Sequence, residues 1–403
     1  MKQVTYRELR STPKVWGFLI LCAAFVAAAG LSVLYIEAHG HIVTGMNNQV
    51  VWGLPHVFAI FLIIAASGAL NVSSIGSVFG KKPYKPVARL ANVLAVALLM
   101  GGLAVLVLDL GRPDRLVMAM YTYNFTSIFA WNILLYTGFM GVVAIYLYTL
   151  MTRGMDPRFL KAAALLAFVW RLVLTTGTGS IFGWLVARTP YDSAIMPPMF
   201  IAMSFSFGMA MFMLVMSLTS SITSRVYTTE LRVRQARLLG VFVAAAMYFV
   251  IAHHLSNMYL AKKSAYESWI LLNGGIYTSL FWVGQVLIGG IIPMLLLFQP
   301  RIEAKRGAVL LAALLVVLGG LAQVYVIVVG GQAFPLDIFP GFEVSSSFND
   351  GVINSYTPTL LELALGFGGI ALALLITGLG MKFLRIVPDN LTDDTVNAPM
   401  PAE

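Results

Sequence analysis

Asp109 and Arg112 stand three residues apart in Asp109-Leu110-Gly111-Arg112-Pro113, where a long apolar stretch ends at a Gly and a Pro. An acid and a base at such an edge can exchange protons with a substrate, or simply pair with each other. Other groups fall at the same depth. Tyr35, Glu37 and His39 close the first apolar stretch, Trp52 and His56 open the second, and Glu362 lies one turn into the last. Together they make a layer of proton-exchanging and hydrogen-bonding groups beside apolar walls. A quinone head group requires that mixture: donors to its two carbonyl oxygens, an acid or base for its protons, and a greasy channel for its tail. Glu37 and His39 read as loop residues in water, whereas His56 and Asp109 lie just inside the expected membrane boundary. Each residue alone carries little, because aromatic and polar groups populate every membrane interface.

Deeper in the chain, Arg171 sits in the middle of an apolar stretch, where a lone cation costs about 2.5 to 3.5 kcal/mol on insertion scales. Thr175 and Thr178 follow it, with Thr176 and Ser180 nearby, and the second stretch carries Ser67, Asn71 and Ser74 on one face. Two such strips, one in each half of the membrane, would form a proton path. The Ser and Thr residues serve interhelical hydrogen bonding equally well. A buried arginine needs a more specific reason. His253-His254 invites a haem, yet adjacent residues on a helix point about 100° apart and cannot both ligate one iron. His56 is the only other histidine expected within the membrane, so no haem is expected. Cys22 is the single cysteine, which leaves no thiolate set for an iron–sulfur cluster or Cys zinc site within this chain. The methionines of the sixth stretch fall on several faces and read as adaptable packing. No Walker loop, dinucleotide fingerprint or metalloprotease spacing appears.

The elements that must position these groups are membrane helices. The chain has 403 residues, 59% hydrophobic and only 11% charged. A hydrocarbon core of about 30 Å needs roughly 20 apolar residues in a helix. Ten segments meet that demand, near 15–37, 52–79, 86–109, 125–151, 158–186, 197–222, 236–260, 276–299, 306–331 and 358–384. Short alternating segments, the mark of a membrane barrel, are missing. The first stretch follows four basic residues as a signal peptide would, but it runs too long for one and is read as a retained helix. The expected fold is an all-α integral membrane domain over 1–388: ten transmembrane helices, with helices 2 to 5 and 6 to 9 forming two four-helix bundles and the others peripheral. A flexible cytoplasmic tail is expected over 389–403.

Basic residues fix the expected orientation. With the amino terminus inside, 20 of the 26 Lys and Arg fall in inner segments and five (Arg112, Arg115, Arg188, Lys262, Lys263) in outer ones, with Arg171 within a helix. That asymmetry predicts a multi-pass protein of the bacterial inner membrane with both termini cytoplasmic. The net charge of +9 then reports topology and contact with anionic membrane lipid, and nucleic acid is not an expected partner. The longest outer loop, 332–357, holds Asp337, Glu343 and Asp350 and no basic residue. It reads either as a docking surface for a partner subunit or as a loop packed on the helix ends.

Several segments carry a family resemblance. Asp109-Leu110-Gly111-Arg112-Pro113-Asp114-Arg115 followed by Ser127-Ile128-Phe129-Ala130-Trp131 resembles the helix 3 to helix 4 connection of the NrfD/PsrC membrane subunits. Thr176-Gly177-Thr178-Gly179-Ser180-Ile181-Phe182-Gly183, Phe281-Trp282-Val283-Gly284 and Tyr356-Thr357-Pro358-Thr359-Leu360-Leu361-Glu362 are similar to its ten-helix, HybB-like branch. Met46-Asn47-Asn48-Gln49-Val50-Val51-Trp52-Gly53-Leu54-Pro55-His56 is most similar to the DsrP group. The resemblance implies a subunit without haem or iron–sulfur cluster that uses menaquinone or ubiquinone as substrate near the outer face. Its implied partners are a periplasmic ferredoxin-like iron–sulfur subunit of DsrO type, a multihaem cytochrome c of DsrJ type, and DsrM-like and DsrK-like subunits that link to sulfur metabolism. Gln285 departs from relatives that often carry Glu there, which weakens a proton route at that position.

The sequence therefore predicts a membrane subunit exchanging electrons and protons between quinone and an extrinsic iron–sulfur protein, itself inactive alone. His56, Asp109 and Arg112 would form the head-group site, with Asp109, His56 and Glu362 handling protons and Tyr35 as a further hydrogen-bond partner. Arg171, Thr175, Thr178, Ser67 and Asn71 would form the proton path. A secondary transporter with substrate at the bilayer midplane, or a passive anchor for a redox complex, are the rival readings.

Overall fold

The computed structural model describes residues 4–299, 305–336, 339, 342, 346–348, 350–389 and 391–392. Backbone amides and carbonyls in hydrocarbon find no water, so each apolar stretch closes its hydrogen bonds internally as a helix. The spans are α1 (Pro13–His39), α2 (Leu54–Ser77), α3 (Lys82–Leu108), α4 (Ile128–Met151), α5 (Pro157–Gly183), α6 (Met196–Ile222), α7 (Thr229–Tyr259), α8 (Ile276–Leu297), α9 (Arg306–Ala333) and α10 (Leu360–Phe383). The chain is thus a multi-pass integral membrane protein.

Local chemistry sets the ends. Thr12 caps α1 through Val15 N–H and is followed by Pro13, which cannot donate within a helix and so suits its first position. Asp156 does the same for α5 through Arg158 N–H. Thr359 and Glu362 form a reciprocal capping box on α10. α7 starts well before the expected 236, because Thr228 accepts from Leu231 N–H and the basic turn carrying Arg232 and Arg234 continues the helix beyond its apolar part.

α2, α3, α4 and α5 form one ring of packed helices and α6, α7, α8 and α9 a second, with α2 against α6 at the seam, α10 packed on α3 and α2, and α1 packed on α10. The seam is close. A Cβ on Gly68 would lie 1.6 Å from the Ser204 carbonyl oxygen, and one on Gly208 would lie 2.1 Å from Gly68 C, so only glycine lets the two backbones meet. α2 and α6 are the most enclosed spans, while α4 and α7 keep apolar faces outward in the manner of lipid-facing helices. α8 contains a wide π-helical stretch, Leu280–Ile291, and α9 another, Val326–Gly330.

Both ends of the described chain lie at one end of the bundle. Tyr6 pairs with Pro388, Leu9 N–H donates to Met381 O at 3.0 Å, and Asp389 N–H donates to Thr5 O at 2.8 Å. Asp389 also pairs with Arg225, and Leu391 is buried. The tail expected to be free from 389 is therefore held at Asp389 and Leu391, because a basic side chain and an apolar cleft meet it; 390 and 393–403 lie outside the described residues. At the opposite, loop end, Asn47 donates to Ser355 O and Gln49 to Asp350, joining the first loop to the last. Asp337 and Glu343 lie outside the described residues.

Candidate functional site

At the loop end α3 stops at Asp109, whose backbone N–H bonds back to Val105 O at 3.0 Å, and Pro113 four residues on has no N–H with which to extend the helix. This turns the Asp109 carboxylate inward. Its Oδ2 lies 2.6 Å from His56 Nδ1, with only 1% of the Asp109 side chain and 12% of the His56 side chain exposed. Among the described residues the ring has no other hydrogen bond, which leaves Nε2 available. Asp109 Oδ1 is buried without a partner among the described residues. A buried, unpaired carboxylate oxygen is costly in any resting fold and is a natural seat for a donor hydroxyl.

His56 occupies the first turn of α2, and the chain leading to it is pinned by Gln332 from α9. Gln332 Oε1 accepts from Val51 N–H and Trp52 N–H, both at 3.0 Å, and its Nε2 donates to Trp52 O at 3.0 Å. The indole of Trp52 then lies nearly parallel to the imidazole, 6.1 Å away, with Phe182 edge-on at 6.0 Å and Phe129 at 6.1 Å. Arg188 ties this corner together, donating to the carbonyls of Gln332 and Gln49. Burial draws the Arg188 guanidinium below its ordinary value. His41 packs against the turn at Gly111, with both ring nitrogens buried and unpartnered among the described residues.

Other sequence-chosen residues take different places. Arg112 does not meet Asp109; it reaches two residues onward to Asp114 at 3.1 Å, and both are well exposed. Each holds the other charged, Arg112 above and Asp114 below its ordinary value, chiefly through that hydrogen bond. Tyr35 is half-exposed and stacks on His39 at 4.1 Å. Glu362 is fully buried but already saturated: Oε2 accepts from Gly45 N–H, Thr359 N–H and the Thr359 hydroxyl, and Oε1 accepts from the Tyr356 hydroxyl at 2.6 Å. Tyr356 in turn accepts from Leu54 N–H, and burial plus the bond to Glu362 push its phenol well above the usual range. Glu362 thereby joins α10, the first loop and, through Tyr356, the start of α2.

The polar strips within the first ring do join. The Thr178 and Tyr136 hydroxyls lie 3.3 Å apart, Thr175 donates to Ser67 at 2.6 Å, and Ser67 donates to Arg171 O at 3.1 Å. Arg171 Nη2 donates to Asn71 Oδ1 at 2.9 Å. Its guanidinium sits between the rings of Phe168 and Phe205, 4.9 Å and 4.8 Å from their centroids, with Nε and Nη1 unpartnered among the described residues. Toward the terminal end Asn92 donates to Ser73, Ser73 to Tyr146, and Tyr146 to Ser77. Sequence reasoning missed Asn92, Ser73, Tyr136 and Tyr146, since a tyrosine in an apolar run gives no sign of which way its hydroxyl turns. It also missed Gln332 and His41, whose roles depend on contacts across long stretches of chain.

An all-helical membrane domain with a buried acid–base pair on an aromatic wall at one end defines a class of membrane subunit. Residues 42–336 match the family model described as Polysulphide reductase, NrfD. The chain belongs to this NrfD family. It is similar to the Hdr-like menaquinol oxidoreductase integral membrane subunit of Archaeoglobus fulgidus, 28% identical over 98% of this chain and 99% of that protein. Similarity extends to the integral membrane subunit of the menaquinone reductase of Nitratidesulfovibrio vulgaris, 23% identical over 89% of each chain. Protein NrfD of Escherichia coli is 26% identical over 71% of this chain and 96% of its own length.

Proposed function

We propose that this chain is the quinone-interacting membrane subunit of a multisubunit oxidoreductase, exchanging electrons and protons between the membrane quinone pool and an extrinsic iron–sulfur subunit at the loop end. The observation that carries this is the unpartnered Asp109 Oδ1 beside His56, buried against Trp52. A quinol hydroxyl supplies the donor that Oδ1 lacks, and His56 Nε2 offers a second acceptor. The quinone supplies the two-electron chemistry. The chain's own residues orient it and take or return its protons: Asp109 holds the Nδ1 proton of His56, which keeps Nε2 basic, and the Trp52, Phe129 and Phe182 rings exclude water. The names of relatives support this reading, in particular the menaquinol oxidoreductase and menaquinone reductase subunits.

In this reading protons use the hydrogen-bonded group of Thr175, Ser67, Arg171 and Asn71, with the Thr178–Tyr136 pair lying toward the loop end and the Ser73–Tyr146 pair toward the terminal end. Both termini face the cytoplasm, as the distribution of Lys and Arg argues, and the loop end faces outward with its partner. Within the family we place the chain in the DsrP-like group, acting with DsrO-like and DsrJ-like partners in dissimilatory sulfur metabolism. The test is the complex purified through a tag on this chain. Quinol-analogue fluorescence should be quenched by the wild type and far less by Asp109→Asn. Equal quenching by both, with equal turnover, would overturn the assignment.

A further inference from the structure

A second buried histidine–carboxylate pair lies at the same end of the molecule in the other ring of helices. His254 Nδ1 meets Glu267 Oε2 at 2.7 Å, with 15% and 2% of the side chains exposed. Glu267 Oε1 accepts from Asn257 Nδ2 at 2.8 Å, Asn257 contacts His253 Nε2 at 3.1 Å, and His253 Nδ1 lies 3.2 Å from the Ser193 hydroxyl. The contacts thus connect an acid to two imidazoles without a break. The charged and titratable groups that face this network are Lys263, which donates to Tyr191 O and Asp192 O, and the phenols of Tyr191 and Tyr266. Burial draws the Lys263 ammonium down and the Tyr266 phenol up. Phe281 closes the edge of His254 at 4.7 Å.

Two small cavities continue inward from the pair. The first, about 20 Å³, is lined by His253, His254, Gln285 and Gln323. The second, also about 20 Å³, shares Gln285 and Gln323 and reaches Ser206. A polar cavity of more than about 10 to 15 Å³ has room for one water. Gln323 is 5% exposed and its Nε2 has no partner among the described residues, so a buried amide donor faces this space. The π-helical stretches of α8 and α9 both border it, through Gln285 and Val326. Ser206 is ten residues into α6, which at about 1.5 Å per residue is near the middle of the span. The next residue back, Phe205, covers Arg171 in the first ring.

We propose that the second ring carries its own proton-exchange site, in which Glu267 and His254 take and give protons at the loop end and waters held by Gln285 and Gln323 extend the path to Ser206. Its ligand is water and the proton, not a quinone, because both Glu267 oxygens are already engaged and the cavities admit single waters only. One proton added to the neutral imidazole makes an imidazolium against the Glu267 carboxylate, and its departure restores the starting state.

Two measurements on the full chain test this. Infrared titration in nanodiscs should show a carboxylate band that shifts with pH as the imidazole beside it gains its proton, vanishes in Glu267→Gln and persists in Asp109→Asn; this readout needs no quinone activity. In proteoliposomes of the complete complex, Glu267→Gln and Gln323→Leu should each at least halve the protons carried across the membrane per electron while electron transfer continues. No titrating band lost in Glu267→Gln would overturn the proposal. A proton-to-electron ratio unmoved by either variant, including a wild type that carries none across, would do the same.

Discussion

The two histidine–carboxylate pairs are built alike and differ in what they leave open. His56–Asp109 and His254–Glu267 both place Nδ1 within 2.7 Å of a nearly inaccessible carboxylate, with the histidines on α2, which forms the seam, and on α7, which keeps an apolar face outward. Asp109 keeps Oδ1 free among the described residues, whereas Asn257 occupies the second oxygen of Glu267. A carboxylate with a free oxygen can receive a substrate hydroxyl; one with both oxygens bonded has none to offer a substrate and works through the groups it already touches. The surroundings follow the same division. Trp52, backed by Phe129, offers a flat apolar face beside His56, while single-water cavities and amides continue from His254.

The largest expected break comes from Asp109→Asn. Removing a positioned acid–base group commonly costs about 10²- to 10⁴-fold, so quinol-dependent electron transfer by the complex should fall about 100-fold or more. The matching change, Glu267→Gln, should leave that rate within about twofold, since distant sites act independently; an equal fall in both would erase the distinction. Gln332→Leu comes next. It frees Val51 and Trp52 N–H from their acceptor, so KM for quinol should rise several-fold with a smaller change in kcat. Tyr356→Phe should lower stability by about 1 to 3 kcal/mol, the usual penalty for stranding buried partners, here Leu54 N–H and Glu362 Oε1, while turnover per folded complex stays close to wild type. Thermal melting of the purified chain reads that loss. Arg112→Ala should do least: its partner Asp114 is as exposed as itself, and turnover should match wild type.

Much of the fold was legible because hydrocarbon imposes a single demand on every span. Helix α2 was expected over 52–79 and runs Leu54–Ser77; the shorter ends reflect Gly53 and the turn after Ser77. The site was half legible. His56 and Asp109 share a depth, which apolar run lengths reveal, but nothing in the spacing shows that residues so far apart in sequence touch. Arg112 looked like Asp109's partner because it lies three positions on, yet the helix ends at Asp109 and the guanidinium follows the chain outward. Glu362 looked free because Thr359 falls inside the expected span 358–384, which hides its role as the cap that engages the carboxylate. The acid that meets His254 lies across a turn, and only folding brings Glu267 back over α7.

Composition and run length by themselves determined ten membrane helices, because unpaired backbone groups are not tolerated in hydrocarbon and no other element spans it in such runs. They also determined the depth of each polar side chain along its helix. Rotation about the helix axis and the choice of neighbour were left to tertiary packing: which oxygen of Asp109 stays open, which face of α5 turns Arg171 toward Asn71, and how closely α2 approaches α6. Those depend on side chains from distant segments filling the same space, with Gly68 and Gly208 setting the seam and Gln332 fixing Trp52. An apolar sequence fixes where a helix lies in the membrane, and contact between helices decides what its polar groups can do.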